Sequence, residues 1–137
     1  MKFPYTMLGS SRDHPIVPVL IDQGRKRRLL LGLLDTGADV TLMPYRVSLA
    51  LGVMLGPPNT VGTATGQQIS YRPGAITLEL RCALETVRWR AEVGFTAAPL
   101  SIPLFGDKGF LEFFRCEFDG QLREVELTPK SNLPRIS

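Results

Sequence analysis

The sequence predicts an all-β domain, a compact barrel or sandwich of many short strands. Three observations carry that expectation. Segments rich in Val, Ile, Leu, Thr and aromatic residues recur at strand-like spacing, separated by Gly, Pro, Asn and Asp. Two of them, Thr77-Leu78-Glu79-Leu80-Arg81 and Arg88-Trp89-Arg90-Ala91-Glu92-Val93, alternate cleanly, as half-buried strands do. Helical features are confined to two short stretches.

In chain order, strands are expected over residues 2–8, 16–22, 27–34, 40–43, 60–63, 68–71, 75–81, 87–95, 102–105, 115–118 and 123–127. A helix over 44–51 opens on Pro44, which suits a first helical position, and stops at Gly52. A second, C-terminal helix is expected near 108–114, where Phe110, Phe113 and Phe114 would form one buried face at i, i+3, i+4 spacing. Gly56-Pro57-Pro58-Asn59 is a rigid connector, too short to link two domains. The tail, residues 128–137, has two prolines and little apolar content, which suits a frayed end or an edge strand. With no internal repeat, residues 1–137 read as a single domain.

Composition narrows the function classes. A single domain of 137 residues can bury roughly 65–70% of its unfolded surface. The longest apolar run is six residues, far short of a membrane span. Pro4, Tyr5 and Thr6 interrupt the start before a signal-peptide segment can form. A cytoplasmic protein with no membrane partner is the expectation. Cys82 and Cys116 are too few for a disulfide scaffold and read as buried thiols. His14 is the one histidine and there is no Cys-x-x-Cys, so neither a metal nor a cofactor is expected. Ser-His or Cys-His catalysis would rest on His14 alone, a residue whose neighbours Asp13 and Pro15 suit a solvated loop. The net charge is +3, with four cations together at Arg25-Lys26-Arg27-Arg28. That cluster reads as a solvated hairpin turn, and Arg88-Trp89-Arg90 as strand alternation. Neither makes the broad basic and aromatic patch of a nucleic-acid binder, so no nucleic-acid partner is expected.

One residue does not fit a purely structural reading. Asp35 follows directly on the apolar run Leu29-Leu30-Leu31-Gly32-Leu33-Leu34, and the chain turns apolar again at Val40-Thr41-Leu42-Met43. An unpartnered buried carboxylate is costly, so such residues are normally exposed, paired or catalytic. Gly37 gives the Asp35-Thr36-Gly37-Ala38 turn backbone freedom, and Thr36 brings a hydroxyl. The turn can hold a carboxylate at the floor of a cleft. Asp-x-Gly is equally a common ordinary β-turn, in which the aspartate caps local amides.

The segment "LLDTGADVTLMP", residues 33–44, closely resembles the active-site segment of retropepsin-like aspartic proteases, the single-domain family that includes the retroviral proteases. "VGTATGQQISY", residues 61–71, resembles the family's flap, a glycine-punctuated hairpin that closes over substrate. "IPLFGDKGFLEFF", residues 102–114, resembles its apolar strand ending in glycine and the short helix that follows. "RCEFDGQLREVELTP" is similar to the closing hairpin of bacterial members. The resemblance runs in order over residues 16–129.

This resemblance implies a closed-barrel, acid-protease fold with a flap hairpin and one short C-terminal helix. It also implies an aspartic endopeptidase acting on a peptide or protein substrate, with no cofactor. Two carboxylates in contact can share a proton, so one activates water while the other protonates the carbonyl oxygen. The chain has one Asp-Thr-Gly, and Asp119-Gly120 lacks the hydroxyl and the apolar flank. The second carboxylate would therefore be Asp35 of a second copy, on a two-fold axis. By resemblance, Asp35, Thr36 and Gly37 form the catalytic loop, with Thr36 bonding across the dimer and Gly37 receiving substrate backbone. Ala38, Asp39, Ala64, Thr65, Gly66, Ile102 and Leu104 would bind substrate, with Ala64, Thr65 and Gly66 near the flap tip. Where relatives pair the equivalent of Asp39 with an arginine, Gly106 is followed here by Asp107 and Lys108. Lysine lacks the bidentate fork, so a weak dimer is expected. The other reading is a catalytically silent domain of the same fold that binds peptides or mediates assembly.

Overall fold

The computed structural model describes residues 1–9, 12–63 and 65–137. In chain order it comprises β1 (Lys2–Pro4), β2 (Thr6–Met7), β3 (Asp13–His14), β4 (Ile16–Asp22), β5 (Arg27–Leu34), β6 (Leu42–Pro44) and α1 (Tyr45–Leu51). There follow β7 (Asn59–Gly62), β8 (Gln68–Arg81), β9 (Thr86–Thr96), β10 (Leu104–Phe105), a 3-10 turn (Leu111–Phe113), β11 (Phe114–Asp119) and β12 (Glu124–Pro129). The protein is mostly β, and α1 is the one α-helix among the described residues. No helix among them is long and apolar enough to cross a membrane.

The main sheet runs β4-β5-β10-β6-β9-β8-β7, and β4 pairs with β8 as well. Through Leu20 opposite Glu79 and Asp22 opposite Thr77, the pairings return to the strand where they began. A second sheet, β1-β12-β11, stands beside it. Period-2 alternation decides what lies inside. Val17, Val19 and Ile21 of β4, Ile76, Leu78 and Leu80 of β8, and Val87, Trp89 and Val93 of β9 are all buried in one core. The outer face carries the polar alternates. Two of these, Asp22 and Glu79, are themselves buried and survive because cations meet them. Arg88 reaches Asp22 at 3.1 Å, Arg27 reaches it at 3.2 Å, and Arg81 pairs with Glu79.

An aromatic cluster fills the space behind β5 and β10. The Phe105 and Phe110 rings stack at 4.7 Å, and Trp89 meets Phe110 and Phe114 edge-on at 5.4 and 5.2 Å. The buried indole N–H of Trp89 donates to the Gly109 carbonyl at 3.0 Å. Gly32 lets β5 approach this cluster, since a Cβ there would sit 2.3 Å from the Phe105 ring.

Several expectations need correction. The two strands expected at 68–71 and 75–81 are one continuous strand, β8, running through Pro73 and Gly74. Residues 2–8 break into β1 and β2 at Tyr5. The helix expected near 108–114 shrinks to the single 3-10 turn. Gly109 takes φ +95° and lies so close to the Glu92 carbonyl that a Cβ would come within 2.8 Å. Phe110 follows at φ −137°, and Phe114 is already extended, so only three residues coil. Phe110 and Phe114 are buried as expected, whereas Phe113 is half-buried. The apolar run of β5 is also two-faced: Leu29 and Leu31 are 63% and 51% exposed. The tail is placed rather than frayed. Leu133 is buried, and the Arg90 N–H, Ile136 N–H and Arg88 side chain all bond between β9 and the tail.

The cluster makes Phe110 a stringent test of the core. Phe110→Ala should lose about 3–5 kcal/mol of unfolding free energy in urea titration, with exposed Leu122→Ala within about 0.5 kcal/mol of wild type. A loss at Phe110 under about 1 kcal/mol would contradict the packing described.

Candidate active site

Asp35 begins where β5 ends, and its loop is fastened by main-chain hydrogen bonds to residues 103–108. The Leu33 N–H donates to Pro103 O at 2.9 Å and the Asp35 N–H to Phe105 O at 3.1 Å. From the other side, the N–H groups of Asp107 and Lys108 donate to the carbonyls of Ala38 and Asp39 at 2.8 and 3.0 Å. The Thr41 N–H returns a bond to Lys108 O at 3.0 Å. The Thr41 side chain, fully buried, accepts the Gly106 N–H at 3.2 Å. Gly106 is the point of closest approach. A Cβ there would lie 2.5 Å from the Ala38 carbonyl oxygen and 2.6 Å from that of Val40.

Within the loop, Asp35 Oδ1 accepts the Gly37 N–H at 2.9 Å, and the Ala38 N–H donates to Asp35 O at 3.2 Å. The carboxylate is thereby aimed, and it is half-buried beside exposed Thr36 and Gly37. It stands at a cavity of about 120 Å³. Gly37, Ala38 and Asp39 continue the floor, and Val40, Leu42, Val61, Ile69 and Leu104 supply apolar walls. An acid beside an apolar cleft can move a proton while the cleft holds an apolar group.

The roof is the hairpin of β7 and the first part of β8. Val61 opposite Ile69 and Gly62 opposite Gln68 set its register. At its tip, the Thr63 N–H donates to Gln67 O at 2.8 Å and the Gly66 N–H to Thr63 O at 3.0 Å, with Gly66 at φ +85°. The hairpin's outer residues are exposed, so few side chains tie it down.

The expected site residues separate into three groups. Asp35, Gly37, Ala38, Asp39 and Leu104 line the cavity together. Thr36, Thr65 and Gly66 are exposed and do not line it, and Ile102 is buried and does not line it either. Ala64 lies outside the described residues. The Lys108 Nζ lies 3.6 Å from Glu92, so it does not stand in for the arginine expected beside Asp39. Sequence reasoning passed over Val40, Leu42, Val61 and Ile69. Their alternation in strands flanking two glycine-rich turns was the available signal. It also passed over Thr41, a polar residue inside a buried apolar run. Among the described residues no three His, Cys, Asp or Glu side chains could hold a metal ion. Neither protein-family models nor curated protein sequences match this chain.

Gly106→Ala tests the close approach. Forcing a methyl against two carbonyl oxygens should cost about 1–3 kcal/mol and shift the amide resonances of residues 38–41. The control Gly120→Ala, with nothing within 4 Å of the added atom, should do neither. Unmoved resonances in Gly106→Ala would contradict the contact.

Proposed function

We propose that the protein is an aspartic endopeptidase of the retropepsin-like type, with an active centre completed by a second copy. The observation that carries this reading is Asp35, aimed by the Gly37 N–H at the mouth of an apolar cavity under a hairpin. The resemblance of residues 33–44, 61–71 and 102–114 falls on the floor, the roof and the supporting strand of one site. The ring of pairings β4-β5-β10-β6-β9-β8-β4 favours the closed-barrel form of that fold.

The chemistry follows from two aspartates facing each other across a two-fold axis. At such closeness both cannot ionise, so the pair holds one proton between them. The ionised carboxylate takes a proton from water as its oxygen attacks the peptide carbonyl carbon. The protonated partner gives its proton to the carbonyl oxygen. As the tetrahedral adduct collapses, the C–N bond breaks and the leaving amine takes a proton from the dyad. The substrate is an extended peptide, added as a strand between the hairpin and the floor. The apolar walls favour apolar side chains beside the scissile bond.

The dimer is expected to be weak. Gly106 is followed by Asp107 and Lys108 where relatives carry the arginine that holds Asp39, and Lys108 faces Glu92. β1 is paired along its length with β12 of its own chain, and the tail lies on its own β9. Those segments are engaged on one side within the copy, and the Asp35 loop and the hairpin are the parts that meet a second one. A ligand that bridges both copies would then stabilise the dimer.

Mixing copies tests the shared centre. Asp35→Asn keeps the shape but cannot exchange the proton. After subunit exchange, an equal mixture with wild type should retain about a quarter of the activity of the same total of wild type. Retention of about half would mean that each copy works alone.

A further inference from the structure

The open edge of β5 is a feature the proposed centre does not use. The Leu34 N–H bonds toward β4, to Pro15 O, whereas the Leu33 N–H bonds the opposite way, to Pro103 O. Main-chain groups alternate along a strand, so those of Arg27, Leu29 and Leu31 also point away from β4. β10 follows that side only at Leu33 and Leu34. Among the described residues no strand pairs with residues 27–32 there. Natural sheets usually blunt such an edge with proline, a bulge or inward charge. This one presents Leu29 and Leu31, more than half exposed, on one face.

At its end stands a rigid basic tip. The Gly24 N–H caps Asp22 at 2.9 Å, and the Gln23 N–H donates to Lys26 O at 2.9 Å. Arg27 is spent on Asp22, at 3.2 Å. Arg25, Lys26 and Arg28 are exposed and, among the described residues, have no ion pair.

We infer that this edge is a docking strand for an extended, acidic segment of a protein partner, bound antiparallel to β5. Such a segment completes the open main-chain bonds, places alternate apolar side chains against Leu29 and Leu31, and ends in carboxylates beside the tip. A second copy is the poorer occupant: the carboxylate that follows its β5, Asp35, is held on that same side by β10 and the Phe105 carbonyl, so it cannot be carried along the edge to those cations. A bilayer is poorer still, since it leaves outward N–H and C=O groups without partners.

The test uses labelled peptides of alternating leucine and threonine ending in Glu-Asp-Glu, followed by fluorescence anisotropy and amide resonances. Saturable binding is expected, with shifts confined to residues 25–33. Peptides ending in three serines should bind roughly tenfold more weakly. Leu29→Pro should also weaken binding roughly tenfold, because it removes an outward N–H and leaves the β4 ladder intact. Should that variant fail to fold, peptides N-methylated on alternate residues apply the same test to wild type. No binding, or binding indifferent to both changes, would overturn the inference. So would self-association that Leu29→Pro abolishes, or binding of phosphatidylserine vesicles in place of the peptides.

Discussion

The contact between Gly106 and the Asp35 loop is the constraint on which the site depends. A carboxylate on a free loop would wander, and a misplaced acid loses proton-transfer efficiency steeply. Here the loop's own amides and carbonyls are joined to residues 103–108 by successive main-chain bonds. That lacing requires two backbones to approach within van der Waals distance, which only glycine permits at 106. Buried Thr41 completes the joint by satisfying the Gly106 amide.

The aromatic cluster carries that joint into the core. Phe105 precedes Gly106, stacks on Phe110, and fills the space left by Gly32 of β5. The strand leading to Asp35 and the strand bracing its loop therefore share one packed layer. The 3-10 turn belongs to the same layer, because Gly109 accepts the Trp89 indole N–H and its backbone crosses β9 closely. A longer helix would lift Phe110 from its place between Phe105 and Trp89. The hairpin over the cavity is held mainly by its own ladder, which suits a part that must open.

Much of this is legible in the sequence. Apolar segments bounded by turn-forming residues located β4 and β5 to the residue. Proline and glycine marked both ends of α1. Asp35 stood out because a carboxylate interrupts two apolar runs. The misses have physical causes. The spacing of Phe110, Phe113 and Phe114 suggested a helix, but the left-handed Gly109 overrode it. Pro73 and Gly74 read as a break, yet the chain passes through them extended. Which leucines of β5 face solvent depends on which face of the strand the rest of the fold covers, since alternate residues point to opposite faces. No local pattern encodes that.

Peptide-library cleavage read by mass spectrometry across pH, with Asp35→Asn as control, tests the central claim most directly. Cuts between extended apolar residues, a bell-shaped pH profile on the acid side of neutral, and no cuts by the variant are expected. Undiminished cleavage by Asp35→Asn, or rates that climb steadily into alkaline pH, would contradict it.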